Sequence, residues 1–425
     1  MDLAEKILNG LHITKPQRNF LLTLFTTILV VRGKVNFRNL SRYSDLSEKT
    51  YSRQFAKAFD AVSFNRQLLN EAIGTDSERL LAFDPCFIPK AGKQTYGRDF
   101  FWNGAHNRTE KGLEISTFSI VDVGRNTGFA LSARQTEPTL ASGLVGSPEE
   151  KAEEKTGKAA PKKVGASAPE DETLIDAYLQ HLGQVHPHLL PAEKHVVVDG
   201  YFAKKKWVDG VDAFGLHTIG KLRTDADMRY FYTGPKREKG SGRQKTYDGK
   251  VDWQDLGRFH YVAYQDGFEI YTLVLNHVSL KRTLRVVVVL DVRDPAKQRY
   301  ALLFSTDTHL DALTIYRYYK ARFQIEFLFR DAKQFTGLAD CQARDADRLQ
   351  FHFNASLTAL NIAKVELLQA QDHAGPIVYS IASLKACHFN EHYLQIISSQ
   401  LGLDLSSIKN LTQYRFLREY GQIAA

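Results

Sequence analysis

The stretch LLAFDPCFIP (residues 80–89) marks the point where a helical pattern gives way to one typical of a sheet. It predicts a short apolar strand that ends at Pro85. EISTFSIVDV (114–123) and TGFALSARQ (127–135) predict two more strands, and the short connection between them indicates a hairpin. HVVVDG (195–200) predicts a fully apolar strand that stops at an aspartate, with a helix after it. Strands mixed with helices in this way indicate an α/β fold.

The 425 residues divide into five predicted regions. The first and last are helical, the second contains the strands above, the third is rich in β-branched and aromatic residues, and the fourth is a long helix from about Leu310 to Gln334. Their boundaries are 1–75, 76–224, 225–305, 306–345 and 346–425. Residues 144–172 have few side chains to bury, so we predict a solvated linker there.

Composition narrows the class of protein only modestly. The net charge of +8 favours a polyanionic partner, and residues 1–75 contribute 11 basic against 6 acidic side chains, a net of +5. The three cysteines lie far apart and match no zinc or disulfide pattern, which predicts a reducing cytoplasm. The longest apolar run, residues 21–31, is shorter than the roughly 20 residues of a membrane span.

Three acidic residues are the candidates for catalysis. Asp84 and Asp199 each end a predicted strand, and Glu326 lies in the long helix. Two Mg²⁺ ions shared by carboxylates activate an attacking oxygen and stabilise a leaving oxygen at a phosphodiester. The alternative for each aspartate alone is a helix cap or a turn residue.

The long helix adds a polar stripe. Tyr319, Arg322, Glu326 and Lys333 are 3, 4 and 7 residues apart in turn, so they share one face at 3.6 residues per turn, and Arg330 lies on it too. The other faces are apolar. Cations beside a metal-binding carboxylate suit phosphate binding, whereas the alternative is a solvated face with spaced ion pairs.

The spacing Tyr319-x2-Arg322-x3-Glu326-x6-Lys333 resembles the signature of bacterial DDE transposases of the insertion-sequence-four type. Asp84 and Asp199 are similar in context to the two catalytic aspartates of that family. The resemblance implies a ribonuclease-H-like core with a β insertion between the second Asp and the Glu. It also implies Mg²⁺ or Mn²⁺, two per active site, with Asp84, Asp199 and Glu326 as ligands, and a homodimer in the active complex.

Other residues are candidate contacts to DNA. Residues 34–59 suit a helix-turn-helix in which Ser47 caps the second helix and Lys49 and Arg53 face a major groove. The alternative is an ordinary helical hairpin. Trp253, in the β-rich region, is a candidate to stack an extruded base, although a tryptophan in a strand is more often part of a core.

The sequence therefore predicts a cytoplasmic, nucleoid-associated transposase that cuts double-stranded DNA at the element's ends and joins 3′-hydroxyl ends to target DNA. Two alternatives remain open at this point. One is a metal-dependent nuclease without strand transfer. The other is a domesticated DNA-binding protein, which the three acidic positions and the polar stripe disfavour.

Overall fold

The computed structural model describes residues 1–74, 77–137, 173–236, 243–294, 299–370, 380–404, 409 and 411–423. The predicted linker at residues 144–172 lies outside the described residues.

The N-terminal region is helical, as predicted. Its helices are α1 (Asp2–Gly10), α2 (Lys15–Val30), α3 (Phe37–Leu40), α4 (Glu48–Phe55) and α5 (Ala61–Ile73). The Oγ of Ser47 accepts a hydrogen bond from the Thr50 N–H at 3.2 Å, so the predicted cap of α4 is confirmed. Such a cap satisfies a backbone donor that has no partner inside the helix.

The strands of the described residues form one twelve-stranded mixed sheet. They are β1 (Arg79–Pro89), β2 (Asp99–Asn103), β3 (Arg108–Asp122), β4 (Thr127–Gln135), β5 (His195–Val197), β6 (His217–Leu222), β7 (Met228–Phe231), β8 (Tyr247–Lys250), β9 (His260–Gln265), β10 (Phe268–His277), β11 (Arg282–Asp291) and β12 (Arg299–Ser305). The core order is β4-β3-β1-β5-β6, in which β1, β5 and β6 are parallel and β3 is antiparallel to its neighbours. This mixed α/β arrangement confirms the predicted ribonuclease-H-like class.

The β-rich region continues the same sheet. Strand β12 pairs antiparallel with β6, and the order then runs β11, β10, β7 and β8, with β9 on β10. Two helices connect the core strands, α6 (Leu174–Val185) and α7 (Lys205–Ala213). Their side chains Tyr178 and Trp207 pack on Phe83 of β1, with ring centroids 5.2 and 5.0 Å away.

The prediction that the first strand ends at Pro85 is wrong. Strand β1 continues to Pro89, so Asp84 is its sixth residue rather than its last. Among the described residues, pairing with β5 covers only Leu81 and Ala82, and beyond them this side of β1 has no strand partner. Proline is tolerated at such an edge because no neighbouring strand needs its missing N–H.

The prediction of one continuous long helix is also wrong. Helix α8 (Ala312–Ala321) and helix α9 (Gln324–Asp331) are separated by Arg322 and Phe323, where tight hydrogen bonds between residues three apart replace the α-helical ones. A π-helical turn (Ala332–Thr336) follows α9. The backbone stays close to helical through the break, with φ −49° and ψ −35° at Arg322 and φ −58° and ψ −17° at Phe323.

Helix α10 (Ala346–Gln369) closes the open edge of β4, whose strand partner within the described residues is β3. Asn361 accepts a hydrogen bond from the Ala130 N–H (2.9 Å) and donates one to the Ala130 carbonyl (2.7 Å). Asn354 does the same at Ala133, at 3.0 and 2.8 Å. Each amide thus takes the place of a residue in a missing strand and satisfies buried backbone groups.

The N-terminal helices pack onto this core. Helix α5 contacts α10 and β4. Its Arg66 makes a two-pronged bond to the buried Glu193, with N–O distances of 2.9 and 2.6 Å, and Arg79 of β1 lies 3.7 Å from the same carboxylate. Because a buried carboxylate that lost its partners would be strongly destabilising, this ion pair fastens α5 to the sheet. Helices α11 (Ile381–Gln400) and α12 (Thr412–Glu419) complete the described chain.

Candidate active site

Asp84 and Asp199 occupy equivalent places beside two neighbouring parallel strands. In the register of β1 and β5, Ala82 pairs with Val197. Asp84 lies two residues after Ala82, and Asp199 lies two residues after Val197. The two carboxylates therefore emerge side by side where the pairing ends, and both line one cavity.

The turn after β5 fixes the side chain of Asp199. Its Oδ1 accepts a hydrogen bond from the Tyr201 N–H at 2.9 Å and caps the short 3₁₀ helix Gly200–Phe202. Asp199 is therefore a helix cap, which was the alternative to a catalytic role, but the cap uses only one of its two carboxylate oxygens. Within the part of the chain that the structure describes, no hydrogen bond reaches Oδ2, which leaves that oxygen for a ligand.

Glu326 reaches the same site from α9 through Arg322. The Arg322 guanidinium lies 2.7 Å from Oε1 of Glu326 and 3.9 Å from Oδ2 of Asp84. The side chains of Arg322 and Asp84 are only 14% and 20% exposed, so water screens their interaction little, whereas Glu326 is 40% exposed. An acidic residue of the sheet and one of the helix are therefore held together by one cation.

The pKa of Asp84 reports the crowding of negative charge. It is raised to about 7, mainly because burial disfavours the charged carboxylate. Arg322 opposes this effect, and the nearby charges of Asp199 and Glu326 raise the pKa further. The three acidic groups thus share one electrostatic environment in which a further positive charge is favourable.

Divalent cations fit the chemistry of these donors. Mg²⁺ and Mn²⁺ prefer carboxylate oxygens and use few of them, keeping water or substrate phosphate in their other positions. In residues 1–74 and the other described ranges, no three His, Cys, Asp or Glu side chains lie close enough together to hold a metal ion. The contact that Glu326 makes is with Arg322 rather than with an aspartate, and the two partly buried carboxylates on the sheet remain for a cation.

Of the other residues of the polar stripe, Tyr319 and Lys333 lie near the site and Arg330 is exposed to solvent. Burial raises the pKa of Tyr319, whose ring centroid lies 6.0 Å from the Arg322 guanidinium. Lys333, in the π-helical turn, donates a hydrogen bond to the Phe87 carbonyl of β1 at 3.0 Å. Arg330 does not join them, because it pairs with its neighbour in sequence at 2.8 Å and is 61% exposed.

The other predicted DNA contacts lie on other elements. Lys49 and Arg53 are exposed side chains of α4. Trp253 is half-buried between β8 and β9, with its ring centroid 6.1 Å from that of Phe259. These three residues are not among those that line the cavity at Asp84, and DNA contacts there stay predictions.

The cavity also contains residues that the sequence reasoning missed. Glu114 and Tyr178 line it beside Asp84, as do Trp102 and Tyr201. Glu114 is the first residue of the apolar segment EISTFSIVDV, and an acidic residue next to an apolar strand is a local indication of a functional side chain. Trp102 gave no such signal, because its place depends on the pairing of β2 with β3, more than five residues away in sequence.

A mixed sheet of this order, with aspartates beside adjacent parallel strands and a glutamate on a packed helix, defines a class of nucleases and transposases built on a ribonuclease-H-like core. Residues 161–362 match the family model of the transposase DDE domain. The match includes Asp199 and Glu326 and begins after Asp84. This match supports a DDE-type nuclease or transposase, an enzyme that acts on DNA, and enzymes of this kind generally use divalent metal ions.

No curated protein matches this sequence. Among the helices of the described residues, none has the length and apolar character needed to cross a membrane.

Proposed function

We propose that the protein is a cut-and-paste transposase of the insertion-sequence-four type, in which Asp84, Asp199 and Glu326 hold two divalent metal ions. The observation that carries this proposal is that Arg322 contacts both Asp84 and Glu326, while Asp84 and Asp199 line the same cavity. The Tyr319, Arg322, Glu326 and Lys333 spacing supports the subgroup, because it matches that signature in full.

When bound, divalent cations at these carboxylates activate an attacking oxygen and stabilise the leaving oxygen of a phosphodiester. Asp84 and Asp199 provide rigid ligands because both are fixed by the sheet and by the turn after β5. Arg322 and Lys333 bind phosphate oxygens of the same strand, Arg322 with two hydrogen bonds and Lys333 as a point charge. Water attacks the scissile phosphorus and the P–O3′ bond breaks, which leaves a 5′-phosphate and a 3′-hydroxyl. The 3′-hydroxyl then attacks a phosphorus of the opposite strand or of target DNA, and the 3′-oxygen of the attacked strand leaves.

Removing one carboxylate at a time tests the site. Asp84→Asn, Asp199→Asn and Glu326→Gln should each abolish Mg²⁺-dependent cleavage of DNA carrying the element's ends, with folding and DNA binding preserved. Asp307→Asn is the matched control, because Asp307 also lies just after a strand of this sheet but at the end near His195, the start of β5. Normal cutting by any of the three variants would remove that residue from the site.

The same reaction separates the proposed activity from a nuclease. Wild-type protein should give cut ends and, with target DNA present, joined products that contain both DNAs. Cutting without joining across a range of Mg²⁺ and Mn²⁺ concentrations would favour the metal-dependent nuclease. Binding without cutting would favour a DNA-binding protein that does not transpose.

We further propose that α4 contacts the element's ends. Lys49 and Arg53 are exposed on this capped helix, in the region with a net charge of +5. The full-length double variant Lys49→Ala/Arg53→Ala should bind end DNA more weakly and with a smaller salt dependence, because fewer phosphate contacts release fewer counterions. Lys6→Ala/Lys15→Ala removes two cations from α1 and α2 and is the control. Equal affinities of the two double variants would move the contact elsewhere.

We also propose that the active complex is a homodimer formed through the C-terminal helices, in the cytoplasm beside the nucleoid. Large apolar side chains of this part are exposed to an unusual degree, among them Tyr393, Leu401, Phe416 and Tyr420 at 56–69%. An apolar patch of this kind commonly marks a protein interface. The double variant Leu401→Ser/Phe416→Ser should lower the mass of the DNA complex measured by light scattering, and an unchanged mass would argue against this surface.

A further inference from the structure

The three cysteines of the chain are buried to nearly the same extent but have different surroundings. The exposed fraction is 6% for Cys86, 5% for Cys341 and 3% for Cys387. Cys86 lies in β1 and Cys387 lies in α11, whereas Cys341 lies in the connection between the π-helical turn and α10. Its neighbours Gln342 and Arg344 are exposed. Because a surface loop opens locally more easily than a strand or a helix, Cys341 is the cysteine that a small reagent should reach most readily.

A histidine of α10 faces the Cys341 thiol. His352 is 3% exposed, and its Nε2 donates a hydrogen bond to the Gly337 carbonyl at 2.8 Å. A carbonyl oxygen only accepts, so Nε2 carries a proton, and Nδ1 is the nitrogen left for the hydrogen bond that joins His352 to Cys341. The backbone thus holds the ring in one orientation, which is how a neighbouring group fixes the tautomer of a functional histidine.

A cation from the sheet lies close to the same residue. The Lys90 ammonium, just after β1, donates a hydrogen bond to the carbonyl of Cys341. Burial alone would raise the pKa of the Cys341 thiol, but the charge and hydrogen bond of His352, together with the charge of Lys90, lower it instead. Burial would lower the pKa of His352, but its bonds to the thiol and to the Gly337 carbonyl raise it, although Lys90 opposes them. Both shifts favour a thiolate beside an imidazolium.

The other two cysteines have the opposite properties. Burial raises the pKa of the Cys86 thiol to about 11, although Lys333 opposes the effect. Burial also raises the pKa of Cys387, whose sulfur accepts a hydrogen bond from the Gln422 amide. Both thiols therefore stay protonated at neutral pH, and the thiolate is the form that reacts with oxidants and electrophiles. The three cysteines should thus differ in reactivity for reasons other than exposure.

We propose that Cys341 is a redox-sensitive modification site whose thiolate reacts with hydrogen peroxide, and that His352 supplies the proton that the reaction consumes. The thiolate sulfur attacks one oxygen of the peroxide, so that an S–O bond forms and the O–O bond breaks. The cysteine is oxidised to a sulfenic acid, and the peroxide is reduced. The departing hydroxide takes the imidazolium proton and leaves as water. Thiols reverse this oxidation, as a sensor in a reducing compartment requires.

Competition among the three cysteines of one molecule tests the proposal. Reduced full-length protein is treated at pH 7 with substoichiometric hydrogen peroxide and with dimedone, which traps sulfenic acids, and the labelled peptides are quantified by mass spectrometry. Cys341 should carry at least about ten times as much label as Cys86 or Cys387. Equal labelling of the three, or most labelling at another cysteine, would overturn the proposal.

The pH dependence of alkylation separates a thiolate from a thiol that is merely accessible. Between pH 7 and pH 9 the rate at which iodoacetamide modifies Cys86 should rise by about a hundredfold, since its thiolate fraction grows tenfold per pH unit below its pKa. The rate at Cys341 should rise by less than about tenfold, because much of its thiolate is already formed. A rise at Cys341 as large as that at Cys86 would show an ordinary thiol and refute the role of His352.

A histidine variant tests the imidazole directly. His352→Gln keeps an amide donor for the backbone carbonyl, and it should lower peroxide labelling of Cys341 about tenfold and give this cysteine the steep pH dependence of Cys86. His388→Gln is the matched control, because His388 of α11 bonds Glu366 at 2.7 Å rather than a thiol, and Cys341 should react in it as in wild type. Wild-type reactivity of Cys341 in folded His352→Gln would contradict the imidazole's part. If that variant does not fold, the comparison of the three wild-type cysteines still decides.

Discussion

Helices α9 and α10 carry the same kind of sequence pattern, with polar residues seven apart among apolar ones. On α9 and its π-helical turn these are Glu326 and Lys333, and on α10 they are Asn354 and Asn361. The first pair makes contacts with side chains and one carbonyl at the acidic site. The second pair makes two hydrogen bonds per residue to the backbone of β4.

The two stripes differ in charge and in saturation, by which we mean whether all their polar groups have partners within the protein. The amides of α10 offer a donor and an acceptor each, which is what one residue of a strand edge requires, and both are used. Glu326 of α9 shares Arg322 with Asp84, whose pKa is raised to about 7 mainly by burial, so the protein's own groups do not fully stabilise that carboxylate in its charged form. A saturated stripe stabilises the fold, whereas an unsaturated one is available to substrate.

Beyond the three carboxylate variants, the largest effect should come from breaking the unsaturated stripe at Arg322. Arg322→Ala removes the cation between Asp84 and Glu326 and, in the proposed mechanism, a donor to the phosphate. Strand transfer by pre-cut ends should fall by about a hundredfold, in the range typical for the loss of one preorganised donor. The rate of joining at saturating Mg²⁺, measured on a gel, gives the result.

Arg330→Ala is the matched control for that variant, because Arg330 lies on α9, just after the break that holds Arg322, but is exposed and paired with its neighbour. An exposed pair contributes little, so this variant should join ends at nearly the wild-type rate. Equal rates for the two variants, whether both normal or both low, would mean that the stripe does not divide as the structure indicates.

The parts of the fold and of the site that the sequence predicts are those that depend on residues close together in the chain. The strand pattern around residues 80–135 and 195–200 predicted the core of the sheet, because alternation and apolar runs are local signals. The three carboxylates were predicted from their places next to strands and in a helix. That they share one site follows from the resemblance alone, because the register of β1 with β5, which brings Asp84 beside Asp199, joins residues more than 100 positions apart.

The two wrong predictions, the end of the first strand and the continuity of the long helix, both relied on local patterns and could not include contacts between residues far apart in the chain. The strand was expected to end at Pro85, since a proline usually ends pairing, but the open edge of β1 removes the conflict. The apolar pattern predicts a continuous long helix. The helix is interrupted at Arg322 and Phe323, and Arg322 lies 3.9 Å from Asp84. The amides of α10 were not recognised, because nothing local distinguishes an asparagine that replaces a strand from one on a solvated face.

A smaller effect, on stability alone, should come from breaking the saturated stripe. Asn361→Leu leaves the N–H and the carbonyl of Ala130 without partners in a buried place, and each such loss costs about 1–3 kcal/mol. We expect the free energy of unfolding to fall by roughly 3 kcal/mol, measured with urea. Gln369→Leu, at the exposed end of the same helix, should change it little. A similar loss in both variants would mean that Asn361 matters only as a helical residue.

The smallest expected effect is on the pH dependence of stability, and it comes from Lys364, a buried charged residue of α10. Lys364 is buried on α10 and donates a hydrogen bond to the Gly128 carbonyl at 2.7 Å, and burial lowers its pKa from 10.5 to about 8. Between these two values the unfolded chain holds a proton that the folded protein has released, so stability rises with pH across this window. Below pH 8 both states are charged and the contribution no longer changes.

Comparison with Lys364→Met isolates this effect. Between pH 7.5 and pH 9.5 the wild-type protein should gain about 2 kcal/mol of unfolding free energy relative to the variant. Every other titrating group is present in both proteins, so the difference between their urea midpoints at the two pH values reports on Lys364. Parallel pH profiles would mean that the ammonium keeps its ordinary pKa through water or through Asp331, the acidic neighbour that raises it. In that case α10 would carry an unsaturated charge of its own, and the contrast with α9 would rest on the amides alone.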